Sequence, residues 1–437
     1  MTGCGDWRLG ELRGVARVAA VIFFLQFTGQ ARGGDWPQLL GPDRNGHAAG
    51  DERLADAWPD DGPKVLWQHQ VGRGFAAISV VAGSVATGSV NAAENATAKA
   101  VLFHRDGNEQ IVEAFDAASG KPLWRRAVAT RYVSTISDDD GPRATPVVHA
   151  GRVYCLGADG ELLCVALDSG KQLWIRHLSQ DFEIPDSYFG AGSTPLVEGE
   201  NLLVNVGGRG RAGIVAFRLG DGKTAWQATD EVASYSAPVA ATIGGVRHAI
   251  FVTRYNVVSL DPANGKVRFS FPFGKRGPTV NAAAPLVCDG NLFVTASYGI
   301  GAVMSKIESD RAAEIWRGVD GMASQYTTCV YNDGVLYGCD GRADQPPAHL
   351  RALDAKTGRV LWSEEDFGVA HLIFADGKLL ALKDDGTLVL FAPSKEKFRA
   401  LASAKVLDGV PRAVPALSNG RLYVRDADTL KCLDVGK

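Results

Sequence analysis

Three sets of residues in this 437-residue chain could carry chemistry. The first is cysteine. Cys4 stands near the start, and Cys155, Cys164, Cys288, Cys329, Cys339 and Cys432 follow, none adjacent and none in a CxxC or CxxCH spacing. That pattern argues against zinc ribbons and covalent c-type haem. In VYCLGADGELLCV, a two-residue turn at Asp159-Gly160 would set Cys155 directly across from Cys164, near the short end of disulfide geometry. A Cys155–Cys164 disulfide is one expectation, and two small buried hydrophobes are the other. The second set is the run SDDDG, Ser137 to Gly141, whose hard oxygens suit Ca²⁺. Three consecutive Asp on one loop seldom all face one ion, and DGPR reads as a turn, so no metal set is assigned. The third set is polar residues just before short apolar runs (TPVV, TPLV, APVA, APLV, TTCV, AHLI, VPAL): Arg143, Ser193, Tyr235, Asn281, Gln325, Tyr326, His371 and Arg412. If those runs converge, the eight ring one concave place, where two Arg and a His favour an anionic or multiply hydroxylated ligand. The alternative is that they bond water and loop backbone. No catalytic residue is assigned.

The elements that must position these groups are short strands. Residues 143–178, RATPVVHAGRVYCLGADGELLCVALDSGKQLWIRHL, read as four β-type runs separated by turn chemistry, an antiparallel meander. The unit recurs at intervals of about 40–50 residues, the hallmark of a repeat architecture. Copies end at Trp124, Trp174, Trp226, Phe269, Trp316, Trp362 and, more weakly, Phe398. Asp116, Asp168, Asp261 and Asp354 are expected to bond backbone N–H groups in the last turn, where Gly120, Gly170, Gly265 and Gly358 take the left-handed position. The aromatic residues are expected to wedge between neighbouring units.

The eighth unit, AVPALSNGRLYVRDADTLKCLDVGK, stops at Lys437 without a fourth strand or a Trp. KVLWQHQV, Lys64 to Val71, supplies that strand from the other end, with Trp67 in the vacant place. Exposed sheet edges are sticky, and lending the first strand to the last sheet pairs them. The expected fold is all-β: an eight-bladed propeller of four-stranded antiparallel blades, residues 62–437, closed by the N-terminal strand.

Two segments precede it. Arg8, Arg13 and Arg17 lead into VAAVIFFLQF, residues 18–27, and GQA ends at Ala31, so residues 1–31 read as a signal peptide. Cys4 lies before the apolar run, which is not the lipoprotein arrangement. Residues 32–61, rich in Pro, Gly and Asp, are expected to be an irregular leader anchored on the propeller by Trp36 and Trp58. SVNAAENATAKA, residues 89–100, reads as a surface loop in the first blade. No second apolar segment follows the signal, and the net charge of -3 carries no basic block. An exported, periplasmic or secreted monomer with a protein or small-ligand partner is expected, without nucleic-acid binding or an integral membrane segment.

The phrase A-x-D-x-x-[ST]-G-x-x-x-W, close at Ala114–Trp124 and Ala352–Trp362 and looser at 166–174, 216–226 and 259–269, resembles the tryptophan-docking motif of pyrroloquinoline-quinone (PQQ) propellers. DWPQLLGPDRNG resembles the leader of PQQ-like repeat proteins of environmental bacteria. The resemblance implies the propeller fold and two activities. One is a BamB-like, non-enzymatic binding scaffold, which needs no cofactor. The other is a PQQ-dependent alcohol or polyol dehydrogenase of the polyvinyl-alcohol type, which would use PQQ with Ca²⁺. The adjacent cysteines and the Glu–Asn–Asp calcium set that such dehydrogenases use have no counterpart that can be placed here, and the scaffold is the expected function.

Overall fold

The computed structural model describes Met1 and residues 34–81, 97–184 and 189–437. The chain divides into Met1–Gln30 and Ala31–Lys437. The signal peptide at 1–31 and most of the loop at 89–100 lie outside the described residues.

Eight four-stranded antiparallel sheets make up the second unit. Their strands span residues 79–129 (blade 1), 147–177 (2), 196–228 (3), 239–272 (4), 286–318 (5), 330–364 (6) and 370–405 (7). Blade 8 joins 416–434 to Val65–Gln70. The first strands of neighbouring sheets approach one another, so they line the hub and the fourth strands face outward. Ring closure is as expected: Trp67 lies opposite Cys432 and Gln70 opposite Thr429. In every blade a bulge interrupts the third-to-fourth strand ladder at the Trp position or its equivalent, as between Ala114 and Phe115 or between Val65 and Trp67. The extra residue there twists the outer strand.

The core is distributed over the seams between blades. Each aromatic crosses to the last turn of the next blade and donates its indole N–H to a carbonyl there: Trp67 to Ala117 (3.1 Å), Trp124 to Leu167 (2.8 Å), Trp174 to Leu219 (3.1 Å), Trp226 to Pro262 (3.1 Å), Trp316 to Ala355 (2.9 Å). Trp362 reaches Ser394 O (2.9 Å). At every one of these seams but the last, the ring stacks on that turn's glycine. A Cβ on Gly170 would lie 2.5 Å from Trp124, and one on Gly265 would lie 2.5 Å from Trp226, so close approach as well as the positive φ fixes glycine there.

The Trp is replaced at one seam and lost at another. The turn after Ile307 in blade 5 has no glycine, and blade 4 offers Phe269, buried beside Ile307. Blade 8 has no third-to-fourth turn because the chain ends meet there. In blade 7 the Trp place, opposite Leu390, is Ala402. This corrects the expectation for Phe398, which precedes the fourth strand and packs on Phe391 and Trp362 at ring centroids of 5.3 and 6.1 Å. Asp168 is a second correction. It stands two residues before its glycine instead of four, and it pairs with Lys99 of blade 1 (3.1 Å). Asp116 and Asp354 do accept turn N–H groups, from Ser119 (2.7 Å) and Thr357 (2.8 Å).

The cysteine bridge is not made, for a reason of register. The connection after Leu156 is a three-residue turn, Ala158 to Gly160, closed by Gly157 N–H to Glu161 O (2.8 Å). That one extra residue pairs Cys164 with Tyr154 and Cys155 with Leu163. A one-residue slip sends side chains to opposite faces. Cys155 therefore enters the seam with blade 1 and Cys164 the seam with blade 3. All six described cysteines are free and buried, and burial pushes the Cys164 thiol up to about 12.

Candidate functional site

The leader does more than rest on the propeller. It touches the first strand of every blade or the residues flanking it, and only a segment on the axis can do that. Trp36 pairs with Val80 of blade 1, and Pro37 O accepts from Val148 N of blade 2 (2.8 Å). Leu40 packs among Ala237 of blade 4, Ala284 of blade 5 and Val414 of blade 8. The Arg44 guanidinium donates to Thr194 O (3.4 Å) and Pro195 O of blade 3 and to Pro238 O of blade 4 (2.9 Å). His47 meets Tyr331 O of blade 6 (2.7 Å), and Gly46 and Ala48 bracket Phe374 of blade 7 in a short parallel bridge. The Glu52 carboxylate caps the Asn419 and Gly420 N–H groups of blade 8 (2.6 and 2.8 Å).

The path follows from these contacts. Gly34 and Glu52 both lie against the first hairpin turn of blade 8, whereas Leu40 and Arg44 meet the beginnings of first strands. The leader thus rises into the channel from the turn face, bends at Gly41-Pro42 and returns. Arg44 is 3% exposed, and burial draws its pKa down to about 9 against the pull of Glu198. A buried guanidinium is tolerated because carbonyls meet its donors. Trp36 and Leu54 join blades 7, 8 and 1 in one continuous cluster.

Above the tip of the leader lies the other mouth. Neighbouring blades are laced there by a repeated bond from a backbone N–H to the Thr hydroxyl of the next blade: Ala77 to Thr145 (3.3 Å), Thr145 to Thr194 (3.0 Å), Ala284 to Thr328 (2.9 Å). These bonds mark equivalent positions. Two residues upstream stand Phe75, Arg143, Gly192, Ala282 and Tyr326, and the same count gives Tyr235, Val369 and Arg412 in the other blades.

Four of the eight expected residues occupy this ring. Arg143 lies over the Phe75 and Phe189 rings (5.5 and 5.3 Å) and pairs with Asp139 (3.3 Å). Tyr235 accepts from Phe189 N (2.7 Å) and fills the space that a side chain at Gly192 would need. Arg412 lies over Tyr326 (4.8 Å) and has no carboxylate within 4 Å among the described residues. The Tyr326 hydroxyl is buried without a hydrogen-bond partner, and burial pushes its pKa up to about 12.

The other four stand off the ring. Ser193 is sunk in a bond to Ser236 O (2.8 Å), and Asn281 donates to Thr253 O (2.8 Å). Gln325 turns outward to Asp344 (2.7 Å). His371 is buried with Nε2 on Arg412 O (2.9 Å), and burial takes its pKa down to about 4. Phe75, Gly192, Ala282 and Val369 were missed, although counting back from each TP or AP dipeptide would have found two of them, Gly192 and Ala282.

The acidic run is also engaged. Asp139 holds Gly141 N (2.8 Å) and Arg143, and Asp140 accepts from Ser134 N (2.7 Å). Among the described residues no three His, Cys, Asp or Glu side chains converge as a metal set, and no helix is long and apolar enough to cross a membrane. Among the described residues, the exposed large apolar side chains outside the outer strands, Met1 apart, are Val133, Ile136, Val232, Tyr255, Val319 and Val410. All six belong to connections on the mouth face.

An eight-bladed ring with Trp-to-Gly docking at most seams is a PQQ-like propeller. A family model described as "Outer membrane protein assembly factor BamB" matches residues 50–232 and 108–364, and the chain belongs to this family. It is 26% identical over 300 residues to the outer membrane protein assembly factor BamB of Yersinia pestis, covering 65% of this chain and 71% of that one. It is 24% identical over 339 residues to the polyvinylalcohol dehydrogenase of Sphingopyxis sp., spanning 68% of this chain but 48% of that protein. Quinohemoprotein alcohol dehydrogenase from Comamonas testosteroni shares the fold with a TM-score of 0.62 at 14% identity, over 94% of this chain and 82% of its own.

Proposed function

We propose that this protein is an exported, non-enzymatic scaffold that binds a partner protein or ligand at its mouth face. The observation that carries the reading is the leader: Leu40 and Arg44 fill the hub directly beneath the ring of Arg143, Tyr235, Tyr326 and Arg412. The donor set agrees with it. The carboxylates nearest the mouth hold backbone N–H groups and Arg143, and the cysteines are buried singly, so these side chains do not fit a quinone–calcium centre. Of the two ends of the ring, only the mouth face carries exposed large apolar side chains among the described residues, which favours a protein partner there. The BamB relatives, named as an assembly factor, favour the same role.

Two measurements test this. Purified protein titrated with PQQ and Ca²⁺ should show no quinone absorbance change and no dye reduction with a panel of alcohols. Quinone binding with turnover would establish the dehydrogenase reading suggested by the polyvinylalcohol dehydrogenase relative. A partner captured from the native envelope should be lost in the Val319→Asp/Val410→Asp double variant and kept in Leu173→Asp on an outer strand. Equal capture by both would place docking elsewhere.

A further inference from the structure

Off the axis, the mouth face carries a cleft of about 730 Å³ between blades 5 and 6, within the usual size of small-molecule sites. Its walls come from the connections at Pro278-Thr279, Ser297–Gly299 and Val319–Ala323 and from the second and third strands of blade 6, at Asp340–Arg342, Gln345 and Arg351. The charged side chains that line it are Asp320, Asp340, Arg342 and Arg351, two of each sign. Two of the four are locked together: Arg351 Nη1 meets Asp340 Oδ2 at 2.7 Å, and Asp340 Oδ1 is held by Ala323 N at 2.7 Å. Arg342 grips Asp344 through Nε (3.0 Å) and Nη2, and Gln325 holds Asp344 from behind (2.7 Å). That explains why Gln325 leaves the mouth. Arg342 also covers the Tyr298 ring at 4.3 Å. Nη1 of Arg342 and Nη2 of Arg351 have no hydrogen-bond partner among the described residues.

We infer that this cleft binds an uncharged, polyhydroxylated ligand, a neutral glycan. A charged ligand would need an excess of opposite charge to offset its desolvation. Each guanidinium here is already paired, Arg342 with Asp344 and Arg351 with Asp340, so the cleft has no positive excess and a negative excess of a single carboxylate, Asp320. Hydroxyls both donate and accept. They match a wall of carboxylate oxygens and spare guanidinium N–H groups already held in place by one another, at little further ordering cost. The apolar C–H face of a sugar ring matches Tyr298 and the exposed Val319. The site goes beyond the scaffold reading and does not depend on it.

The test uses the intact protein against an array of neutral cello-, malto-, xylo- and manno-oligosaccharides, with polygalacturonate and chitosan oligomers as charged counterparts. Calorimetric titration follows for any glycan retained. At least one neutral series should bind, and neither charged polymer should bind more tightly. Tyr298→Ala and Arg342→Ala should each weaken binding about tenfold, the loss of one well-placed contact. Arg342→Lys, which keeps the charge and the fold but not the planar fork, should weaken it as well. Lys223→Ala, exposed on the opposite face in blade 3, should leave the affinity within about twofold, below the energy of one hydrogen bond. Retention of no neutral glycan, tighter binding of a charged polymer, or an affinity indifferent to both Tyr298 and Arg342 would overturn the inference. Because quinone and partner binding are read separately, failure here leaves the scaffold reading standing.

Discussion

Arg44→Met is the sharpest perturbation of the leader. The methionine keeps much of the apolar stem but removes the donors that serve Thr194 O, Pro195 O, Pro238 O and the Gln38 side chain. At about 1–3 kcal/mol for each stranded buried acceptor, four acceptors give a gross loss of about 4–12 kcal/mol. The guanidinium also carries a cost of burial. Its pKa, drawn from 12.5 to about 9, corresponds to about 5 kcal/mol, which the substitution relieves. At mid-range the difference is a net destabilisation of about 3 kcal/mol, as expected when one side of a buried charge network is removed. Chemical denaturation followed by Trp fluorescence should show a lower midpoint, and limited proteolysis should cut within residues 36–48 before the blades are attacked. An unchanged or higher midpoint, with the leader still resistant, would refute the claim that Arg44 pins the leader in the hub.

Two further predictions follow from the seams and the rim. Trp226→Ala removes the ring stacked on Gly265 and the bond to Pro262 O, and should cost about 3–5 kcal/mol by calorimetry or denaturation, whereas Ala402→Ser, at the seam without a docking turn, should cost under about 1 kcal/mol. His371 is neutral in the folded protein down to about pH 4 but titrates near 6.5 when unfolded. Between those values the unfolded state binds more protons, so stability is intact above pH 6.5 and falls as pH drops towards 4, by about 3 kcal/mol in all. The acid slope of the denaturation midpoint should shrink in His371→Gln, and an identical slope would remove His371 from the acid response.

Much of the architecture was legible because it is written eight times. A Trp opposite a fixed bulge and a Gly four residues after the third strand recur often enough to count, and the missing fourth strand after Cys432 announced Val65–Gln70. The places where reading stopped are places where one residue matters. A three-residue turn instead of two moved Cys155 and Cys164 to different seams, and of two turns without glycine one meets Phe269 and the other Trp362. Four of the eight candidate residues stand at the mouth position and four beside it, because residues adjacent to that position, such as Ser193 and Asn281, are polar for a different purpose, lacing one blade to the next. The insertion of the leader was not legible. Trp36 to Glu52 has neither helical nor strand periodicity, and its partners lie up to 368 residues away. No local signal distinguishes an Arg that enters the hub from one on the surface.

Amide hydrogen exchange of the leader tests the central claim most directly. If residues 36–48 fill the axial channel, the amides of Trp36 and Ala48, bonded to Val80 O (2.7 Å) and Phe374 O (2.9 Å), exchange as slowly as those of the inner strands and are released only by global unfolding. Exchange of these two amides within seconds under native conditions, with the blades still protected, would show an open hub and contradict the account.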